Sequence, residues 1–232
     1  MMHMRVSRLW DCRPKQRLER KINKTKHSDH RVGDGLRPKH LAIELSKLSP
    51  HPQHNVKLEQ YATEGDLAAF FALAIDQLES LNGKHVVDLG AGNGILGIGC
   101  GILGAKQVTL IEGDADVARV AAENGVAIMT KFDVKIETLT GMIGIDVIEP
   151  STDCDIVVMN PPWGFQNQKA DRPLLSYGFS LEPASLFVLH SAQATHIEKI
   201  GKSFGYDCEL VFASNFRLPP NYHHHSRKMH EI

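Results

Sequence analysis

Short apolar runs alternate with amphipathic segments over the second half of the chain. The apolar runs predict strands at 85–89, 107–111, 134–139, 155–160, 185–189 and 206–212. The intervening patterns predict helices at about 95–103, 115–124, 174–179 and 193–204. Strands that alternate with helices are typical of parallel βαβ units. The pattern therefore predicts a doubly wound α/β fold with a mostly parallel sheet.

The region before these units divides into two parts. Apolar spacing predicts helices at 38–48 and at about 64–81, the second with Thr63 as a candidate N-cap. Residues 1–36 have no sustained apolar period, and residues 1–40 hold 12 Lys and Arg against 4 Asp and Glu. We therefore expect a flexible basic extension over 1–36 and a single folded domain over 37–232. The extension could bind phosphate, act as a solubilising tail, or be upstream sequence from a mis-assigned start.

Composition narrows the class of protein. The chain is 42% hydrophobic and 23% charged, which is typical of a globular protein. Neither an apolar stretch long enough to cross a bilayer nor a signal-peptide core is evident in the sequence, so we expect no membrane partner and a cytoplasmic location. The four cysteines are scattered without a CxxC pair, which favours buried or free thiols over disulfides or a zinc site: Cys12, Cys100, Cys154 and Cys208.

A glycine-rich turn follows the first predicted strand of the alternating region and reads DLGAGNG from Asp88 to Gly94. Glycines at such a turn let the backbone approach a ligand closely. Dinucleotide enzymes have similar loops, but their third glycine is replaced here by Ile95. Glu112 ends the next strand, where an acid can accept hydrogen bonds from ribose hydroxyls. A purely structural turn is the alternative.

A second motif, NPPWG, follows the predicted strand at 155–160. Its prolines remove backbone donors and leave carbonyl acceptors at the strand end. The side chain of Asn160 and the carbonyl of Pro161 could both accept N–H bonds from an exocyclic amine and align it with a methyl donor. Trp163 could stack on a base that has left its helix. The alternative is a stiff turn, with Pro162 and Trp163 serving only packing.

These motifs resemble the methyltransferase-like protein 5 family, which methylates N6 of an adenine in small-subunit rRNA. The resemblance runs from about residue 36 to the end of the sequence. It is carried by LEQYAT at 58–63, DLGAGNG at 88–94, LGIG at 96–99, NPPWG at 160–164, Ser191, and Leu218-Pro219 before the histidines at 223–225. The family implies a Rossmann-like class I fold with a seven-stranded sheet and S-adenosylmethionine as the cofactor.

The resemblance also assigns roles to particular residues. It implies that the cofactor pocket is formed by Gln60, Thr63, Asp88, Gly90, Gly92, Asn93, Ile95 and Glu112. The target adenine would be held by Asn160, Pro161, Pro162 and Trp163. RNA phosphate would face His223, His224, Arg227 and Lys228. The family further implies a small zinc-binding activator subunit as a partner beside the RNA.

Three features depart from the family pattern. Trp163 stands where the family usually has Phe, and a larger ring should still stack. The family offers an Asp after the third strand for the cofactor's adenine, whereas this chain reads LTGM at 139–142 and offers only Asp146 as a candidate. The sequence also ends where the family continues into a last strand, so part of that strand is expected to be missing.

Consecutive histidines at 223–225 point in divergent directions, and no metal site is predicted.

Other functions share these motifs. A DNA adenine methyltransferase would use the same four residues but normally needs a separate recognition domain. A protein glutamine methyltransferase usually carries a larger helical domain before the catalytic one. A relative that binds RNA without catalysis is the third alternative.

Overall fold

One seven-stranded sheet organises the part of the chain that the computed structural model describes, residues 5–15, 38–51, 63–148, 150, 153–163, 169–191 and 194–216. The strands are β1 (Arg5–Pro14), β2 (His85–Leu89), β3 (Gln107–Glu112), β4 (Lys135–Thr140), β5 (Ile156–Met159), β6 (Ser185–Ser191) and β7 (Tyr206–Phe216). The helices are α1 (Pro38–Ser46), α2 (Gly65–Leu78), α3 (Ile95–Ile102), α4 (Ala115–Met129), α5 (Arg172–Ser180) and α6 (His196–Ser203).

The strand order is β4-β3-β2-β5-β6-β1-β7, and β2 to β6 run parallel. The chain moves outward from β2 to β4 and then returns to the other side of β2 to add β5 and β6. Buried side chains of α1 to α4 join one hydrophobic cluster, and those of α5 and α6 join a second. The predicted doubly wound, mostly parallel fold is confirmed, because helices cover both faces of the sheet.

The prediction that residues 1–36 form a flexible basic extension is wrong for residues 5–14. These residues form β1, which lies between β6 and β7 and runs antiparallel to both. Leu9, for example, pairs with Leu189 of β6 and with Phe212 of β7. β1 thus occupies an interior position in the sheet, and β7, the last strand in sequence among the described residues, lies at the edge. Residues 1–4 and 16–36 of the predicted extension lie outside the described part.

Buried charges explain why the apolar pattern did not reveal β1. Asp11 and Arg13 are 3% and 4% exposed, although they carry charges at interior strand positions. The guanidinium of Arg13 bonds both carboxylate oxygens of Asp11 and, at 2.7 Å, an oxygen of Glu79 at the end of α2. It also donates to the carbonyl of Leu78 at 3.3 Å. Arg13 is therefore paired on both sides, as a buried cation must be.

The prediction of four separate thiols is wrong for two cysteines. Cys12 and Cys208 face each other across β1 and β7 and form a disulfide. Their Cα atoms are 4.0 Å apart, although 196 positions separate them in the sequence. No spacing between the cysteines indicates this pair, because the pairing depends on the position of β1 in the sheet. Cys100 and Cys154 are free thiols.

No helix in the described part of the chain is both long and apolar enough to span a bilayer.

We predict that Leu9→Ala lowers the free energy of unfolding by about 2–5 kcal/mol, because a fully buried leucine leaves a cavity when it is truncated. Leu9 is 0% exposed and belongs to the main hydrophobic cluster. Urea denaturation of the full chain, followed by circular dichroism at one redox potential, measures the change. Val147→Ala is the control, since Val147 is 92% exposed. Equal stability of the two variants would show that β1 is not part of the folded domain.

Candidate active site

Two loops leave the sheet side by side at the carboxyl ends of β2 and β5. Leu89 and Met159 are register partners at the ends of these parallel strands, so Gly90 and Asn160 exit at adjacent positions. The strand order reverses between β2 and β5. Open parallel sheets bind ligands in the crevice at such a point. The topology thus places both sequence motifs at the expected ligand site.

The glycine-rich loop from Gly90 to Gly94 uses conformations that favour glycine. Gly90, Gly92 and Gly94 have φ values of 67°, 58° and 86°. The N–H groups of Gly90 and Ala91 donate to the carbonyl of Ile111 at 2.9 and 3.0 Å, which fastens the loop to β3. A Cβ on Gly92 would meet no atom within 4 Å, so space is open beside the loop. The backbone can therefore approach a ligand at Gly92.

Glu112, the last residue of β3, is buried next to this loop. One carboxylate oxygen accepts the N–H of Gly92 at 2.8 Å, and the other accepts the N–H of Asp114 at 3.0 Å. Each carboxylate oxygen has a second lone pair. Glu112 is therefore held rigidly and retains the capacity to accept one further hydrogen bond at each oxygen, as a pair of ribose hydroxyls would require.

Asp88 precedes the loop and is only 1% exposed. Its Oδ2 accepts the N–H of Gly97 at 2.8 Å, whereas its Oδ1 is buried without a hydrogen-bond partner. Burial raises the pKa of Asp88 to about 7; the bond from Gly97 acts in the opposite direction, and the charge of Glu112 adds to the rise. An unpartnered buried carboxylate oxygen is unfavourable, which points to a ligand with positive charge or a donor group.

A buried amide that the sequence analysis missed connects the loop to the segment after α1. Asn124 in α4 donates to the carbonyl oxygens of Asn93 and Ser49 at 2.9 and 3.1 Å and accepts the N–H of Ser49 at 2.8 Å. The side chain of Asn93 also donates to the carbonyl of Ser49, at 3.0 Å. A polar residue on the otherwise apolar face of a helix was the available signal. These hydrogen bonds hold Asn93, and with it the glycine-rich loop, against the segment after α1.

The side chain of Asn160 is held at both ends. Its amide nitrogen donates to the hydroxyl of Thr63 at 3.1 Å, and its Oδ1 accepts the indole N–H of Trp163 at 3.1 Å. Thr63 is thus a partner of Asn160 and not the predicted N-cap, since the cap of α2 is Glu64, without a side-chain bond. Pro161 is buried, and Pro162 and Trp163 are partly exposed. A fixed acceptor and an aromatic ring therefore stand together after β5.

Asp171, His190 and His196 form a cluster next to Trp163 that the sequence did not reveal. The rings of Trp163 and His190 are stacked with centroids 6.1 Å apart. Asp171 and His196 join His190, and the possible ligand atoms of the three side chains all lie within 4.8 Å of one another. These residues come from three separate elements, so no spacing in the sequence predicts their meeting.

Two further predicted residues, Ile95 and Asp146, lie in the described part of the chain. The side chain of Ile95, the first residue of α3, packs in the hydrophobic core. Asp146 is exposed and accepts the N–H of Met142 at 2.7 Å, so it folds back onto the loop after β4. The other predictions lie outside the described residues: Gln60, His223, His224, Arg227 and Lys228.

Known proteins are similar to this chain over most of its length. The family model described as conserved hypothetical protein 95 matches residues 67–206. The protein MJ0284 of Methanocaldococcus jannaschii is 31% identical, over 85% of this chain and 91% of its own. The rRNA N(6)-adenosine-methyltransferase metl-5 of Caenorhabditis elegans is 26% identical, over 81% of this chain and 90% of its own.

A solved structure supports the same grouping. PH1948 of Pyrococcus horikoshii, described as a candidate RNA methyltransferase, is 37% identical and superposes with a TM-score of 0.64, over 73% of this chain and 82% of its own. The family model spans more than half of the chain, and MJ0284 is similar over nearly all of it. The chain therefore belongs to the family described as conserved hypothetical protein 95, and its resemblance to the methyltransferase-like protein 5 family is confirmed.

Proposed function

We propose that this protein is an RNA methyltransferase that uses S-adenosylmethionine to methylate N6 of an adenine in small-subunit rRNA. The observation that carries the proposal is the adjacent exit of Gly90 and Asn160 from β2 and β5, which puts a ligand loop beside a fixed amide acceptor. The names of the worm relative and of PH1948 support RNA as the substrate class.

The residues around the loop fit the proposed cofactor. S-adenosylmethionine supplies an electrophilic methyl group and carries positive charge, which suits the unpartnered Oδ1 of Asp88. Glu112 has free lone pairs on both oxygens for ribose hydroxyls, and the open space at Gly92 admits a close ligand. These features favour an adenosine-containing cation over a phosphate, which buried carboxylates would repel.

Asn160 can align the amine that receives the methyl group. The nitrogen of an adenine amine is a weak nucleophile because its lone pair is delocalised into the ring. Trp163 occupies one lone pair of the Asn160 Oδ1, and the second can accept an N–H of the amine, as can the carbonyl of Pro161. Two such acceptors hold the amine in one orientation and stabilise the charge that develops on it. The ring of Trp163 offers a surface on which a flipped-out base can stack.

Two partner assignments remain predictions. The RNA-binding stretch with His223, His224, Arg227 and Lys228 lies outside the described residues. The zinc-binding activator subunit is compatible with one feature: β4 is an edge strand, and the loop after it exposes Ile145 and Val147 by 80% and 92%. Exposed apolar side chains beside an open sheet edge are typical of a surface that a partner covers.

We predict that Asn160→Ala reduces methyl transfer to rRNA by about 10²-fold or more, because the fixed acceptor of the amine is lost. The Kd for S-adenosylmethionine should stay within about threefold, since the change leaves the glycine-rich loop in place. Tritium transfer from the labelled cofactor and calorimetry measure the two quantities. Asn82→Ala, at an exposed position, is the control and should behave as the wild type does.

The same assay separates the rival substrates. Wild-type protein is offered small-subunit rRNA, duplex DNA and a protein release factor in parallel, and nucleoside mass spectrometry identifies the product. Label in N6-methyladenosine from rRNA supports the proposal. Label in DNA or protein alone, or full activity of Asn160→Ala, would refute it.

We further predict that cofactor binding depends on the protonation of Asp88. Its pKa in the free protein is raised to about 7, and a cationic ligand favours the ionised form. The Kd for S-adenosylmethionine should therefore fall as pH rises from 5.5 to 7, by up to about tenfold per pH unit, and level off above 7. Asp88→Asn should bind more weakly and show a flat profile over this range in calorimetry.

The stability of the cofactor-free protein gives an independent check. Its dependence on pH should run opposite to that of cofactor binding. The folded-state pKa of Asp88 lies above its ordinary value of 3.8, so the contribution of this group to stability is complete below pH 3.8 and is lost as pH rises through 7. Asp88→Asn should gain stability relative to the wild type between pH 5 and 8 without cofactor. A constant difference in the free energy of unfolding over that range would contradict the assignment.

A further inference from the structure

Three side chains meet at one carboxylate oxygen behind the candidate base-binding site. Asp171 precedes α5, His190 lies in β6, and His196 begins α6. The Oδ2 of Asp171 is hydrogen-bonded to the Nε2 of His196 and lies 3.3 Å from the Nε2 of His190. Asp171 and His190 are only 3% and 2% exposed. A buried carboxylate with two imidazole neighbours is therefore fixed at this position.

The backbone determines which nitrogen of His190 carries its proton. The Nδ1 of His190 accepts the N–H of Ser191 at 2.8 Å, so it bears no proton. The proton of the neutral ring is then on Nε2, which faces the Oδ2 of Asp171. Burial raises the pKa of Asp171, but the neighbouring His190 and His196 outweigh this and lower it overall. The cluster thus contains an ionised carboxylate that is hydrogen-bonded to His196, with the Nε2 of His190 3.3 Å away and without a hydrogen bond of its own.

A metal ion would fit this proton arrangement poorly. Two histidines and one carboxylate are common ligands for divalent metals. To bind a metal, the Nε2 of His190 would have to give up its proton, and the neutral ring would then carry that proton on Nδ1. Nδ1 would point an N–H at the N–H of Ser191, 2.8 Å from its nitrogen. The geometry therefore favours a hydrogen-bonded cluster.

A continuous path of contacts leads from this cluster to Asn160. The ring of His190 is inclined by only 19° to that of Trp163, with centroids 6.1 Å apart. The indole N–H of Trp163 donates to the Oδ1 of Asn160 at 3.1 Å. Rotation of His190 would remove the surface on which Trp163 rests. Asn160 would keep its bond to Thr63, so the acceptor would stay in place while the ring of Trp163 moves.

We propose that Asp171 is a positioning residue that, through His190, fixes the ring of Trp163 for stacking with the target base. This inference rests on the proposed function, in which Trp163 receives the base. Asp171 touches neither the base nor the cofactor in this scheme. Its removal should therefore weaken RNA binding more than it slows the transfer step.

The test uses Trp163 as its own reporter. The chain has two tryptophans, so Trp10→Phe leaves Trp163 as the single one. In that background, Asp171→Asn should increase the acrylamide quenching constant of Trp163 about twofold or more, because a ring without lateral support becomes more accessible. The KM for rRNA should rise about tenfold, part of the range known for loss of base stacking, with kcat within about threefold. Asp133→Asn is the matched control, since its side chain is 94% exposed.

His196→Gln is a second variant in case Asp171→Asn does not fold, because His196 is partly exposed and easier to replace. It should shift quenching and KM in the same direction by a smaller factor. Unchanged quenching and KM in a folded variant would overturn the proposal. The proposal would also be overturned if the purified wild type contained one equivalent of zinc that both variants lose. The cluster would then be a metal site.

The quenching measurement needs neither RNA nor cofactor, so it separates the two hypotheses. If the wild type methylates no RNA but Asp171→Asn still exposes Trp163, the proposed function fails and the positioning role stands. If RNA is methylated and both variants match Asp133→Asn, the positioning role fails and the proposed function stands.

Discussion

The parallel pairing of β2 with β5 is the constraint on which the candidate site depends. Leu89 and Met159 end these strands as register partners, so the residues that follow them must leave the sheet together. Two helix–strand units, α3–β3 and α4–β4, lie between β2 and β5 in sequence and build the other half of the sheet. Only the reversal of strand order brings the DLGAGNG and NPPWG motifs to one crevice. A register shift of one residue would exchange the faces on which their neighbours lie.

Three buried acids around this crevice are stabilised in different ways. Glu112 has a backbone donor on each oxygen, and Asp171 has two histidines. Asp88 has one donor and one buried oxygen without a partner. Each oxygen of Glu112 and the Oδ2 of Asp171 thus has a partner within the protein, whereas the Oδ1 of Asp88 has none. This difference is the strongest physical reason to assign a cationic ligand to the glycine-rich loop, because the ligand would supply what the fold omits.

The sequence predicts the strands and helices after residue 38 well, since each pairs a clear apolar period with turn residues. It also predicts the location of Asp88, Glu112 and Asn160, because the ends of parallel strands share one edge of the sheet. It does not predict β1, because the charged residues Asp11 and Arg13 are buried in this strand along with Leu9 and interrupt its apolar pattern. It also cannot predict contacts such as that of Asp171 with His190, which depend on side-chain packing between elements distant in sequence.

The position of β1 has a consequence for how the sheet is completed. β1 pairs with β6 and β7, which are the last strands in sequence, and Cys12 bonds Cys208 across 196 positions. The parallel strands β2 to β6 can form from neighbouring βαβ units, whereas β1 must wait until β6 and β7 are available. Contacts of such long separation form slowly because the intervening chain loses entropy first. β6 also carries His190, so the pairing that completes the sheet and the packing that supports Trp163 depend on the same strand. We therefore expect β1 to join the sheet after β2 to β6, and with them both sides of the crevice, have formed.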